Sequence, residues 1–284
     1  MSRAIILGAS GQDGFYLGEI LRKHGVEVHA FGRKECDVGV QGYVFHEVAR
    51  LRPDYVFHLA AISSVAHEFH AANHRAIVDG TAHVLEAVKL YRPTCRVFIT
   101  GSILQLKGPD ITPTSHRRYD TIYAAQRNAS VELARYYRQL GIRVYVGYLS
   151  HHDSPRRPGG FLAKKLARLA LQDGAVTCLD PYDRKEWNHA RDMMGAVWRQ
   201  VNSEHYEAVL GSCRCHTVLD FLSACMRYAG REPHGMVSMT ATREYSLTSV
   251  TRDYRFADCF TTSMPELAAI MVEDARSGKS ARHP

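Results

Sequence analysis

The apolar run Ala4-Ile5-Ile6-Leu7 leads straight into Gly8-x-x-Gly11-x-x-Gly14, and a helical pattern continues from 15 to 24. A buried strand that must turn at once into a helix has few solutions, and glycines at this spacing select one of them. Gly8 lets the chain turn tightly, Gly11 lets backbone N–H groups approach a phosphate, and Gly14 lets helix and strand pack closely. The helix then presents its positive dipole end to an anion. The motif therefore predicts a dinucleotide pyrophosphate held by Gly8, Ser10, Gly11, Gln12, Asp13 and Gly14. A glycine-rich turn without a ligand is the competing reading.

The same alternation continues down the chain. Residues 4–7, 26–31, 55–59, 96–99 and 144–148 read as buried strands, with helical segments at 15–24, 43–50, 79–91 and 123–139 between them. This order predicts an α/β protein with a Rossmann-like, doubly wound parallel sheet. From Ser150 the chain turns polar, and helices are expected at 161–172, 192–201, 219–229 and 265–274. The expected division is a dinucleotide-binding domain over 1–149 and a smaller carboxyl-terminal substrate lobe over 150–276. Some lobe elements are free to cross back into the first domain, and 277–284 is a polar tail.

Composition narrows the class of ligand. The net charge is +7 over 284 residues, but the basic residues are dispersed, as at Arg156-Arg157, Lys164-Lys165 and Arg184-Lys185. That pattern suits a pyrophosphate-bearing small ligand better than a nucleic acid. No apolar stretch approaches the roughly 20 residues that span a bilayer, and no signal peptide is expected because a strand starts almost at Met1. The seven scattered cysteines, an odd number, suit reduced thiols in a cytoplasm. Cys213-x-Cys215-His216 lacks the ligands of a structural zinc, so no metal site is expected.

After the second strand comes Phe31-Gly32-Arg33-Lys34-Glu35-Cys36-Asp37-Val38. An NAD enzyme places an acid here on the ribose 2′-hydroxyl, whereas Arg33 and Lys34 suit a 2′-phosphate. NADP(H) is thus the expected cofactor, with Asp37 and Val38 at the adenine edge. Two solvated surface cations are the alternative.

Gly-Ala-Ser-Gly-Gln-Asp-Gly-Phe-Tyr-Leu from Gly8, Phe-His-Leu-Ala-Ala-Ile-Ser-Ser-Val from Phe57, Ser-Pro-Arg-Arg from Ser154 and Glu-Trp-Asn-His-Ala-Arg-Asp from Glu186 belong together. In combination they resemble the GDP-mannose 4,6-dehydratase group of extended short-chain dehydrogenases/reductases, from Ile5 to about Trp198. The resemblance implies NADP(H) and a nucleotide-diphosphate sugar, GDP-linked or closely related. It implies that Leu59, Ala60 and Ala61 line the cofactor, and that Phe161, Lys164, Lys165 and Trp187 face the nucleotide sugar. The residues themselves agree: Arg156, Arg157, Lys164 and Lys185 offer charge for a diphosphate, and Trp187 offers a ring to pack on.

In the superfamily that it resembles, a tyrosine exchanges the proton at sugar C4, a serine or threonine bonds the same oxygen, and a lysine one turn after the tyrosine completes the site. Tyr123 and Ser102 match the first two, and Arg127 stands at the lysine position. The i to i+4 spacing puts Tyr123 and Arg127 on one helix face, where a cation lowers a phenol that otherwise titrates near 10. Arginine keeps the charge but not lysine's geometry. The family's elimination glutamate, two residues after the hydroxyl residue, is replaced by Leu104, or by Ile103 if the register slips by one. Neither transfers a proton. His151 and His152 lie where the family has Asn-His; a substrate-orienting role is expected for one of them, and a proton-carrying role is the alternative.

Three functions follow. The first is redox chemistry at C4 of a GDP-linked sugar, by a 4-keto reductase, a 4-dehydrogenase or an epimerase. The second is a dehydratase with a displaced acid/base, and the third a catalytically weak binder of NADP(H) or nucleotide sugar. The first is preferred because a mere relic has no use for both Ser102 and Tyr123. Helices 79–91 and 123–139, which pair across a two-fold axis in the superfamily, imply a homodimer. The short segment after the second strand leaves no room for the arginine-rich loop of a tetramer.

Overall fold

The computed structural model describes residues 1–62, 71–234, 237–240 and 250–278. Six strands form one parallel sheet: β1 (Arg3–Leu7), β2 (Glu27–Phe31), β3 (Tyr55–His58), β4 (Arg96–Ser102), β5 (Arg143–Leu149) and β6 (Glu207–Leu210). Their order across the sheet is β6-β5-β4-β3-β1-β2. From β1 the chain goes to one side to make β2, then returns to the other side to make β3. This reversal opens a crevice at the carboxyl ends of β1 and β3, where ligands of such sheets bind.

Every strand of the sheet except the border strand β2 is largely buried. Ile5 and Leu7 point to α2 (Gln41–Leu51), α3 (Gly80–Tyr91) and α4 (Ile122–Gln139), while Ala4 and Ile6 point to α1 (Gln12–Lys23) on the other face. That is why the strands read as continuous apolar runs and not as alternating ones. Helix α1 starts at Gln12, earlier than the apolar pattern suggests, because Gly14 lies inside its first turn. Helix α3 continues from a short α-helical turn, Ala71–His74, through a π-helical stretch, Arg75–Asp79.

Beyond β5 the chain builds a second core from α5 (Leu162–Ala170), α7 (Val218–Tyr228) and α8 (Met264–Arg276). A two-stranded parallel ladder, Val176–Leu179 with Val237–Thr240, lies beside them. Reciprocal capping starts α7: the Thr217 hydroxyl accepts from Asp220 N at 2.9 Å and the Asp220 carboxylate from Thr217 N at 2.8 Å. Between these lobe elements, α6 (Ala190–Val201) and β6 return to the first layer, α6 packing beside α1. The strand β6 escapes a sequence reading because only Ala208, Val209 and Leu210 mark it.

Candidate functional site

The β1–α1 turn is shaped by backbone crowding. Gly8 has φ +92°, and a Cβ there would lie 2.7 Å from Ala60 N; one at Gly14 would lie 2.5 Å from Ala9 Cα. No side chain fits at either position. Gly8 N and Ala9 N donate to the Phe31 carbonyl at 2.9 and 3.0 Å, tying the turn to β2. Gly11 is the extended N-cap of α1 and supplies no capping side chain, so the first N–H groups of the helix have no side-chain acceptor at the cap. Ser10 is exposed, and Leu59, Ala60 and Ala61 border the turn, partly exposed.

The turn after β2 leaves Arg33 and Lys34 exposed. Glu35, which the sequence reading passes over, folds back so that its carboxylate accepts from Gly32 N at 2.8 Å. Val38 is not at an open adenine edge. It is buried against Gly80, whose added Cβ would come 2.9 Å from Val38 Cγ2, and it belongs to the sheet core. The Asp37 carboxylate accepts from Gly39 N at 2.9 Å, closing its own turn.

The catalytic candidates converge at the end of β4 and the start of α4. The Thr121 hydroxyl accepts from Ala124 N at 3.2 Å and starts α4, which places Tyr123 and Arg127 one turn apart. Arg127 Nε donates to the Tyr123 hydroxyl at 3.1 Å, and its Nη1 to the Thr100 carbonyl at 2.6 Å. Arg127 is only 6% exposed. Burial and this cation push the neighbouring His58 down to about 3, so its ring is neutral. Ser102 Oγ accepts from Leu104 N at 3.2 Å, which leaves its own proton to donate. The fully buried Gln105 links the two elements: its Oε1 accepts from Ser102 N and its Nε2 donates to Asn128 Oδ1, both at 2.9 Å. Gln105 and Asn128 were not singled out from the sequence, and only their i+3 and i+5 offsets from Ser102 and Tyr123 hint at them. Leu104 is 50% exposed on this turn, a hydrocarbon where elimination needs a proton carrier.

On the lobe side several expected ligand residues turn out to be structural. Lys164 lies on the buried face of α5, 3% exposed, with Nζ 3.0 Å from Asp274 of α8. Trp187 is 3% exposed and stacked on Phe221 at 4.0 Å, with Nε1 donating to the His216 carbonyl at 3.2 Å. Neither is open to a nucleotide sugar, because each fills the core of the lobe. Gln12 and Asp13 are likewise turned from the phosphate end toward the 150–157 loop. Ser154 Oγ donates to Gln12 Oε1 at 2.8 Å, and Asp13 lies 3.1 Å from His152 Nε2.

His152 has both ring nitrogens engaged, the second 2.7 Å from the Ser150 carbonyl, so neither nitrogen is directed at a substrate in this arrangement. His151 Nδ1 lies 3.0 Å from the Glu186 carbonyl and its Nε2 3.3 Å from Asp153. Burial pushes His151 down to about 3 and Asp153 up to about 6. Arg156 is exposed and stacks 3.7 Å over the Phe15 ring, while Arg157 stacks 4.1 Å over Phe161 and lies 3.4 Å from Asp153. Lys165 is exposed and Lys185 partly so. No cluster of metal-binding side chains occurs among the described residues.

The family described as NAD dependent epimerase/dehydratase matches residues 4–210. The chain is 26% identical over 277 residues to the GDP-mannose 4,6-dehydratase of Yersinia enterocolitica serotype O:8, covering 82% of this chain and 73% of that protein. It is 26% identical over 275 residues to the human GDP-mannose 4,6 dehydratase, covering 80% and 72%. Among solved structures it is similar to RMD from Pseudomonas aeruginosa complexed with NADPH, with a TM-score of 0.84 at 17% identity, covering 98% of this chain and 100% of that one. It is also similar to the UDP-glucose 4-epimerase of Thermus thermophilus in complex with NAD, with a TM-score of 0.83 at 20% identity, covering 96% and 99%.

Proposed function

The chain belongs to the NAD dependent epimerase/dehydratase family, and from that premise we propose that it is an NADP(H)-dependent enzyme performing redox chemistry at C4 of a GDP-linked sugar. The observation that carries this reading is the Tyr123–Arg127 contact of 3.1 Å beside Ser102. Arg127 donates to the Tyr123 hydroxyl and holds it in place, so that Tyr123 takes or returns the proton at the C4 oxygen. The Ser102 proton, free of other use, bonds the same oxygen. A nicotinamide, when bound, supplies the hydride donor or acceptor.

The β1–α1 turn fits a dinucleotide, since Gly8 and Gly14 exclude side chains and the α1 N-terminus carries no side-chain cap. Arg33 and Lys34 support NADP(H), and the names of the relatives support a GDP-linked substrate. Exposed Arg156 and Lys165, with the partly buried Lys185, are the charges offered to its diphosphate. Leu104 and the fully engaged His152 favour redox without elimination. Exposed Ile122, Ala129, Tyr136 and Leu140 on the α4 side, with Leu90 on α3, are the surface of the proposed homodimer. A cytoplasmic location is proposed from the seven free cysteines; no helix among the described residues is long and apolar enough to cross a membrane.

The test offers a 4-keto GDP-sugar with NADPH, and separately GDP-mannose with NADP. Oxidation of NADPH in the first, with no product lighter by one water in the second, is the expected result. Loss of water would favour the dehydratase reading, and NADPH that binds without ever being oxidised would favour a binding protein. Tyr123→Phe should lower turnover by about 10²- to 10⁴-fold and leave NADPH affinity nearly intact; an active variant removes Tyr123 from the mechanism.

A further inference from the structure

Asp13 is the second residue of α1, yet its carboxylate does not cap the helix. It faces His152 Nε2 at 3.1 and 3.3 Å. An acid in the first turn ordinarily takes the positive helix end for itself, the same end that a diphosphate uses. The geometry also fixes the charge of the ring. His152 lies between the Ser150 carbonyl, 2.7 Å from Nδ1, and the Asp13 carboxylate at Nε2. Both partners are acceptors, so both nitrogens must donate and the ring is an imidazolium. The loop carrying it is fastened to α1 at further points, among them Ser154 on Gln12, Gln12 Nε2 on the His152 carbonyl and Arg156 over Phe15.

We propose that Asp13 and His152 form a positioning pair for a bound diphosphate: the imidazolium cancels the carboxylate in the first turn of α1 and leaves the helix end to the ligand. It rests on the reading that this turn holds a dinucleotide. When His152 loses its proton, the carboxylate loses its hydrogen-bonded cation and keeps only the charge of Arg157 nearby, and affinity falls. Neither residue touches the ligand in this account; each acts through the charge of the other.

Burial would push the His152 pKa down, but the charge of Asp13 and its hydrogen bond outweigh that and leave it above 6.5. The other charged groups around the ring are Arg157, Asp153, His151 and His189. Burial holds His151 near 3 and lowers His189, Asp153 is pushed up only to about 6, and arginine stays charged. Among these, the imidazole whose pKa is raised above its ordinary value is therefore His152. Affinity is full while it is protonated and is lost as the pH rises through its folded pKa.

Fluorescence titration of NADPH, with NADH alongside as a probe lacking the 2′-phosphate, tests this between about pH 7 and pH 9.5. The wild-type Kd should rise about tenfold across that range for both probes. Asp13→Asn should flatten the profile and bind more tightly than wild type at the alkaline end, an outcome that no merely structural loss produces. His152→Asn should bind weakly and without a pH slope. A flat wild-type profile, or an Asp13→Asn variant that keeps the slope, overturns the pair while leaving the dinucleotide reading in place. Failure of folded wild type to bind either probe at any pH overturns that reading and the pair with it.

Discussion

On the β1–α1 side of the crevice the shape is held by backbone, with Gly8 and Gly14 leaving no space for a Cβ. On the lobe side it is held by interlocked side chains, Lys164 on Asp274, Trp187 on Phe221 and Asp13 on His152. The two constructions fail differently. A backbone constraint acts at the residue that carries it, so a change there alters the local turn and whatever binds on it. A side-chain constraint is shared between distant residues, so a change on one partner leaves the other stranded in the interior.

Substitutions can be chosen to pull these two behaviours apart. Trp187→Ala should have the largest effect, destabilising the protein by about 4 kcal/mol in urea unfolding, while the fraction still folded binds NADPH normally. A selective loss of NADPH affinity would return Trp187 to the binding site. Lys164→Ala should lose about 3 kcal/mol by leaving Asp274 unpaired; Lys164→Met with Asp274→Leu should recover most of it in the same assay. If the double variant is no better than the single, the pair is not what matters at Lys164. Gly14→Val should cost about 2 kcal/mol in stability from overpacking and abolish NADPH binding, the reverse balance to Trp187→Ala. Normal binding by that variant would break the contrast. The smallest effect is expected for Arg33→Ala with Lys34→Ala, which should weaken NADPH by about tenfold (~1.4 kcal/mol) and spare NADH; equal loss for both cofactors would leave Glu35, not the two cations, as the residue to study at that turn.

The same contrast decides what could be read in advance. The strand–glycine–helix junction and the Tyr123–Arg127 spacing were legible because their causes are local: steric room at a turn, and one turn of helix. Residues whose partners are far away are harder to place from their chemistry alone. Gln12 and Asp13 sit inside a phosphate motif but bond to residues 139 to 142 positions on. Lys164 and Trp187 look like ligands for a diphosphate and a base until burial shows them facing the core of the lobe. Gln105 and Asn128 carry no signal beyond their offsets from Ser102 and Tyr123, because an amide pair across two elements has no period. The strand β6 was missed for a similar reason: three apolar residues do not declare an element until a neighbouring strand pairs with them.

The position of β2 at the border of the sheet has a consequence for the protein's life in solution. A border strand exposes a row of unpaired backbone groups, a template on which another chain can add and start an aggregate. Here that strand is only five residues long and carries Glu27, which pairs with His29 at 2.9 Å and with Arg3 at 3.6 Å. A strand arriving from outside would have to desolvate these charges along with its own backbone. The charged fringe thus opposes the addition of an outside strand at β2, the border of the sheet among the described residues.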